Sequence, residues 1–572
     1  MAMDAIEFFK GYGRVNETVD KRLRSATRRR LILVVASAAA LLLVFLVAVP
    51  IAVSKRGRSP SPESVADSIR AMCNVTRYPA SCFSSVSAAN GANLTTDPEE
   101  LFGVSLAVAM DALAAASAAA SEFAPPSKDR RLAAALRDCR ELLGGAIDRI
   151  NDSIALMRPA AGEATLNASE IEDLRTWLSA AVTNQDTCLE GFEGTTGGFL
   201  GKMEAAMANA TEYTSNSLAI ATGILGAMEK SRFPLHRRRL LYAGGGREWM
   251  RRALQEKGKP KPNVTVAADG SGQVRSIKEA VDLAPRRSEE AFVIYIKAGV
   301  YKEQVVVGKD QWNVVMFGDG MDKTVVEGNL NFVGGTPTFS TATFIAEGKG
   351  FVAMTMGFKN SAGPEKHQAV ALRSSSDRSV FFRCGFDSFQ GSLYAHSLRQ
   401  FYRECHIAGT VDIIFGNAAA TFQACLIRPK QALLHQENTV TAQGKSDPNQ
   451  NTGFALQACS IQRLDSDVTV PSYLGRPRKD YSTTVVMQSE IGSVIDPAGW
   501  LSWVVGEEPP NTIKYGEYQN NGAGSSVAGR VHWPGYSPAM SEAEANRYTV
   551  EALISGGDWI PATGVQFQSN LG

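Results

Sequence analysis

The 572-residue sequence has no surplus of either charge. Its 59 Lys plus Arg stand against 58 Asp plus Glu, a net charge of +1, so whole-chain electrostatics give no argument for a nucleic-acid partner. It has no Cys-x-x-Cys pair to suggest zinc. It lacks the composition of collagen or of a disordered tail, and it is too poor in long apolar runs to be a multispanning membrane protein. What remains is a globular composition, 44% apolar, 20% charged and 8% aromatic. At roughly 100 to 200 residues per domain, the length predicts about three or four domains, or fewer if one is a large β architecture.

One long apolar run does occur. Leu31 to Val53 carry no charge over 23 residues, enough at about 1.5 Å per residue to cross a hydrocarbon core of about 30 Å. Lys21, Arg22, Arg24, Arg28, Arg29 and Arg30 precede it and only Lys55, Arg56 and Arg58 follow closely. This bias keeps the N-terminus in the cytosol and predicts a signal anchor, with a cleaved signal peptide as the rival reading. Two features agree with export of the remainder. Asn-x-Ser/Thr acceptors at Asn74, Asn93, Asn151, Asn167, Asn209 and Asn263 all lie beyond the run. So do the eight cysteines, Cys73, Cys82, Cys139, Cys188, Cys384, Cys405, Cys425 and Cys459, all candidates for disulfides in an oxidising compartment.

From Pro98 to Met228 the chain is rich in Ala and Leu, and runs such as Leu106 to Ala120 and Leu132 to Ile150 predict a bundle of about four helices. A basic cluster, Arg237, Arg238 and Arg239, then precedes Leu240, Leu241 and a glycine run at Gly244 to Gly246. Such an exposed linker suits proteolytic processing. After Asn263, short β-branched and aromatic runs predict strands at Phe292–Ile296, Val305–Val307, Val314–Phe317, Ala369–Leu372 and Val485–Met487. An aromatic-polar-cysteine-apolar pattern recurs around Cys384, Cys405, Cys425 and Cys459, with 21 and 20 residues between the first three cysteines. A period near 20 in a strand-rich chain predicts a solenoid, here a parallel β-helix, whose stacked cysteines could either bridge or form a buried ladder. The expected organisation is a cytosolic tail (1–30), an anchor (31–53), a helical bundle (60–230), a processing linker (231–258) and a β-helix domain (259–572).

Gln368, Gln390 and Asp412 are each 22 residues apart, close to one coil, so they should align on one outer face. Two amides beside one carboxylate are the equipment for attack on a carbonyl, a nucleophile with donors for the oxyanion. A solvated polar ladder, with Asp412 as a turn cap, is the alternative that spacing leaves open.

At these positions the sequence resembles the plant pectin methylesterases. The resemblance covers Asn263 to Gly572 through Gly299-Val300-Tyr301-Lys302-Glu303, Gly363-Pro364-Glu365-Lys366-His367-Gln368, Gly409-Thr410-Val411-Asp412, Leu474-Gly475-Arg476-Pro477 and Asp496-Pro497-Ala498-Gly499-Trp500. The Ala-rich cysteine domain resembles the inhibitor-type pro-region of that family, with Arg238, Arg239, Leu240 and Leu241 where such precursors are processed. The resemblance implies that Asp412 attacks the methyl ester of a galacturonate unit in pectin. Gln390 and Gln368 would hold the oxyanion, Arg476 would orient Asp412 and keep it ionised, and Thr338, Gln368, Arg476 and Arg478 would contact substrate. It implies no metal or organic cofactor. The partners it implies are pectin and, for the helical domain, other pectinesterases, with the membrane reached through the anchor and the mature domain delivered to the cell wall.

Two positions depart from the family pattern. Gly391 stands where the family has the proton-donating Asp, and Arg478 where it has a sugar-stacking Trp. Asp387, His396 or a water are candidate substitutes for the donor, a packed imidazole being the competing reading of His396, and Arg478 could pair with a galacturonate carboxylate. The alternative function is a catalytically impaired, pectin-binding or regulatory homologue whose helical domain inhibits other esterases. A polygalacturonase or pectate lyase is disfavoured, because it would need paired carboxylates or a calcium cluster around Asp412.

Overall fold

The computed structural model describes residues 62–91, 95–123, 129–158, 166–195, 197–230, 261–464, 466, 468–504 and 506–572. The expected tail and anchor (1–53), the Asn93 acceptor and the processing stretch with Arg238, Arg239, Leu240 and Leu241 lie outside them. The chain divides into two compact units, Met1–Val65 and Ala66–Gly572. The first is described only for residues 62–65, the opening of a helix.

Among the described residues six helices come first: α1 (Pro62–Cys73), α2 (Pro79–Asn90), α3 (Pro98–Glu122), α4 (Arg130–Met157), α5 (Ala168–Glu190) and α6 (Phe199–Lys230). The four long ones form the bundle. Their starts follow local chemistry. Asp97 accepts the Glu99 and Glu100 amides ahead of α3, and Asn167 with Glu170 closes a capping box on α5. Helix α3 is long and apolar enough to cross a membrane by composition, yet Leu101, Phe102, Leu106, Ala109 and Leu113 are buried against its neighbours at the period of a bundle helix. Disulfides Cys73–Cys82 and Cys139–Cys188 staple this domain.

From Val264 onward the strands wind into a parallel β-helix with three sheets of eleven, seven and eight strands. Successive coils stack in parallel register, for example Phe344, Leu372, Leu393, Ile414 and Thr441 up one sheet. Four of the five expected strands form at or within the observed ones. The fifth is displaced: Ala369–Leu372 was expected, but the strand is Leu372–Ser374, because Gln368 to Ala371 turn the corner into this sheet while remaining largely buried.

Stacking of coils also explains the cysteine repeat. Between the eleven- and eight-stranded sheets six coils bend at a single left-handed residue, Thr355, Arg383, Glu404, Ala424, Ala458 and Gln488, all at φ between 52° and 53°. The residue after each bend points into the core, and in four consecutive coils it is a cysteine. Cys384, Cys405, Cys425 and Cys459 are unpaired and buried, which corrects their candidacy as disulfides. Each thiol instead hydrogen-bonds to a backbone carbonyl of the preceding coil, as Cys405 does to Phe381 O at 3.3 Å. They fill the corner as small apolar groups. Beside them runs a ladder of stacked rings, Phe381 to Tyr402 at 4.8 Å and Tyr402 to Phe422 at 4.6 Å. The β-domain's core clusters draw on its own residues alone.

Candidate functional site

The seven-stranded sheet and the turns leading into and out of it carry the candidate residues. Gln368 and Gln390 pair backbone to backbone in parallel, and Gly391 N–H donates to Val411 O at 3.0 Å. These links set Gln368, Gln390 and Asp412 one above another on successive coils. Asp412 takes a left-handed φ of 53°, a conformation that Asp tolerates better than most residues.

Arg476 grips the Asp412 carboxylate with both prongs of its guanidinium, Nε to Oδ1 and Nη2 to Oδ2, each at 2.7 Å. Thr439 closes a ring: the Asp412 N–H donates to its Oγ1, and that hydroxyl donates to Oδ1, both at 2.8 Å. Oδ1 thus has two partners and Oδ2 one, leaving a lone pair of Oδ2 free to attack. Burial pushes the Arg476 pKa down, but Asp412 overcomes this and holds it above the ordinary value. Sequence dictates the approach of Arg476 through Gly475, where a Cβ would lie 1.9 Å from Thr441 Oγ1. No other residue fits there.

Gln390 is buried, and its side-chain amide donates to Pro364 O at 3.2 Å. Thr338 opens the short turn Thr338–Ser340 and engages through its carbonyl, which accepts from Thr341. Among the substitutes considered for the missing acid, Asp387 lies on another sheet, ion-paired with Lys430, and is not part of this site. His396 is a packed imidazole. It is buried, contacts Thr187 and Ser375 at 3.0 Å each, and burial together with Arg373 and Arg478 holds its pKa well below the ordinary value. It is therefore neutral at neutral pH, not the imidazolium that a general acid would need. At Gly391, φ is 68° and a Cβ would sit 3.0 Å from Phe415 Cε1.

Several participants escaped the sequence reading. Thr439 is one, because it stands 27 rather than 22 residues after Asp412. Trp503 is another: its ring packs under both Arg476 and Arg478, at 4.3 and 6.0 Å. Tyr394 stacks on Phe415 at 4.1 Å beside the site, and burial pushes its pKa up to about 12.

The largest omission is helix α5, which lies along this face. Asp173 pairs with Arg399 at 2.6 Å and Arg378 at 3.0 Å. Thr183 accepts from Asn417 at 2.9 Å, Asp186 accepts from Ser446, and Thr187 meets His396. At the end of the helix, the Glu190 carboxylate binds Arg478 at 2.8 Å and Lys479 at 3.1 Å. Residues 173, 176, 179, 183, 186, 187 and 190 recur at helical spacing, so the signal was present as a polar stripe on an Ala- and Leu-rich domain.

Comparison with known proteins agrees with this arrangement. The family model "Pectinesterase" matches residues 263–558 and "Plant invertase/pectin methylesterase inhibitor" matches residues 67–220. The chain is 51% identical to Pectinesterase 3 of Phaseolus vulgaris over the full length of both. It is 48% identical to Pectinesterase 1 of Arabidopsis thaliana, covering 98% of this chain and 99% of that one. Among solved structures, the pectin methylesterase from carrot is 48% identical with a TM-score of 0.53, and the match spans 55% of this chain and 99% of that one. The chain belongs to the pectinesterase family of carboxylic ester hydrolases, as a plant-type precursor in which an inhibitor-like helical domain precedes a β-helix esterase domain.

Proposed function

We propose that this chain is a latent pectinesterase that hydrolyses methyl esters of galacturonate units in pectin, with Asp412 as nucleophile. The observation that carries the reading is the Asp412 carboxylate, aimed by the two-pronged Arg476 contact and by Thr439, beside two stacked glutamines. Oδ2 attacks the ester carbonyl, and the amides of Gln390 and Gln368 donate to the oxyanion as it forms. The C–O bond then breaks, and methanol leaves with a proton taken from water, since position 391 supplies none. The hydroxide so formed cleaves the acyl-aspartate to galacturonate, restores the Asp412 carboxylate and leaves one proton to solvent. Arg476 holds the Asp412 carboxylate in position between turnovers, and Thr338 would contact the substrate.

Latency follows from α5, which covers the same face and ties up Arg478 and Lys479 through Glu190. Cleavage near Arg238 to Leu241 would release the esterase to the cell wall, where this plant family acts, while residues 31–53 hold the precursor in the membrane until then. The freed helical domain could dock on other pectinesterases through the same stripe. The identities across both domains favour the enzyme over a purely pectin-binding homologue. The decisive assay is methanol release from methylated pectin by the β-domain beside its Asp412→Ala variant. A loss on the order of 10⁴-fold in the variant is expected, and equal rates would overturn the reading.

A further inference from the structure

The contacts of α5 with the esterase domain differ in what the loss of one side would leave behind. Asp173 shares Arg399 with Asp377, so the esterase domain already holds that guanidinium by itself. Thr183 and Thr187 meet Asn417 and His396 as neutral hydrogen-bond partners. Glu190 is different. Arg478 Nη2 meets one of its oxygens at 2.8 Å and Lys479 Nζ the other at 3.1 Å, and among the described residues no other carboxylate lies within ion-pair distance of either cation. The Glu190 and Arg478 side chains are only 17% and 19% exposed. Burial pushes the Glu190 pKa up, but the two cations override it and hold the group below its ordinary value.

Both sides of this contact are built in advance. Glu190 is the last residue of α5, two positions after Cys188, which the disulfide to Cys139 ties to α4. The C-terminal end of a helix is where the backbone dipole least favours a carboxylate, so Glu190 owes its stability to the cations opposite and not to its helix. On the esterase side, the Arg478 N–H donates to Gln443 O at 3.1 Å and the Lys479 N–H to Ser482 Oγ at 3.0 Å. The solenoid thus fixes both backbones.

We propose that Glu190, Arg478 and Lys479 form a recognition lock, which restricts the helical domain to esterase domains that present this cation pair: its own, or that of a second copy of this chain. This rests on the reading of α5 as the cover of a pectinesterase site, and it names the partner that the freed domain accepts. Against an esterase domain with uncharged side chains at these places, docking would bury the Glu190 carboxylate without a partner. Truncating one side of a buried charge pair costs more than the net worth of the pair, because the other charge is stranded. Selectivity therefore comes from rejection of the mismatched partner more than from extra affinity for the right one. Arg478, a departure from the family pattern, becomes the mark by which the helical domain tells its own esterase from one that carries Trp there.

The test pairs the helical domain (residues 62–230) with the β-domain (residues 261–572) as separate proteins. Each closes on itself: the long helices bury their apolar faces on one another and hold both disulfides, and the β-domain core draws on its own residues alone. Affinity is read first, by titration calorimetry. Arg478→Trp in the β-domain should lower the affinity for the parent helical domain by at least about 30-fold, and Lys479→Gln by about fivefold. Glu190→Gln in the helical domain should lower the affinity for the parent β-domain by a factor similar to that of Arg478→Trp. With Glu190→Gln in place, Arg478→Trp should cost less than about threefold more.

Equal affinity of the parent helical domain for the parent and Arg478→Trp β-domains overturns the lock. So do losses that simply add when Glu190→Gln and Arg478→Trp are combined, because each change then acts alone. Inhibition of methanol release is read second, relative to the uninhibited rate of each β-domain. Equal inhibition of the parent and Arg478→Trp β-domains overturns the lock while leaving the esterase reading intact. A non-additive loss of affinity in a β-domain that releases no methanol supports the lock and overturns the esterase reading instead.

Discussion

Two polar stripes meet in this molecule, and they are built on different clocks. One runs up the β-helix, where Gln368, Gln390 and Asp412 recur once per coil and backbone pairing locks them in register. The other runs along α5, where Asp173, Thr183, Asp186, Thr187 and Glu190 recur at helical spacing and are fixed by whatever they touch. The solenoid stripe is preorganised by its own sheet and can act alone. The helical stripe has its meaning only against the solenoid. Their covalent supports differ in parallel: the helical domain carries both disulfides, while the solenoid leaves four core cysteines unpaired because stacked coils already bury the corner.

The solenoid stripe is incomplete at Gly391, and filling it gives the largest expected effect. Gly391→Asp should raise methanol release by the β-domain about 10²-fold or more, the usual worth of a positioned acid. The left-handed φ of 68° is one that Asp adopts, and Phe415 needs to yield only a few tenths of an ångström for the added Cβ. No gain would place the limitation elsewhere on the stripe, with Arg478 the next substitution to make.

How much of each stripe was legible follows from these clocks. Gln368, Gln390 and Asp412 could be read because three consecutive coils have nearly equal length, and the cysteine spacing marked the same coils. Thr439 and Arg476 lie beyond a longer coil, so the period fails there, and motif resemblance alone pointed to Arg476. The left-handed corner was hidden because Arg383, Glu404, Ala424 and Gln488 occupy it rather than glycine or asparagine. Stacking enforces that bend against local preference. On α5 the stripe was visible as a pattern, but its partners were not: Glu190 and Arg478 are 288 residues apart, and nothing local announces such a pair.

The helical stripe can be broken at Asp173. Asp173 accepts from Arg399, which is also held by Asp377 at 2.6 Å, so Asp173→Ala removes one of two carboxylates and does not strand the guanidinium. Docking of the helical domain should weaken by about 2 to 3 kcal/mol, roughly 30- to 150-fold in the affinity of a separately expressed helical domain for the β-domain. The esterase rate of the β-domain alone should not change. An unaltered affinity would show that the stripe is decorative at this end.

The effect that separates the stripes by chemistry is on pH. Burial against the solenoid pushes the Asp186 carboxyl up to about 6, with Glu190 and Asp447 adding to the shift and Lys479 and Ser446 opposing it. Asp138, buried beside Ser340, is likewise pushed up to about 6. In the separated domains both should titrate near the ordinary value of about 4. The docked state therefore holds more protons between about pH 4 and pH 6, so docking is fully supported by these groups below pH 4 and loses that support as the pH rises through 6. Glu190 works in the opposite sense. Its pKa is lowered on docking, so its contribution is present above the ordinary glutamate range of about 4.3 and fades below it. Glu141, which lies against Glu347 and Arg373 and is pushed up to about 7 by burial, joins the raised side, so the raised groups outweigh Glu190 and docking should weaken from pH 4.5 to pH 6.5. Asp186→Asn removes one of the raised groups and should flatten the profile over this window, whereas Glu190→Gln should steepen it. Affinity measured across the window for the three proteins checks both signs, and parallel profiles would mean that Asp186 and Glu190 titrate alike in the docked and separated domains.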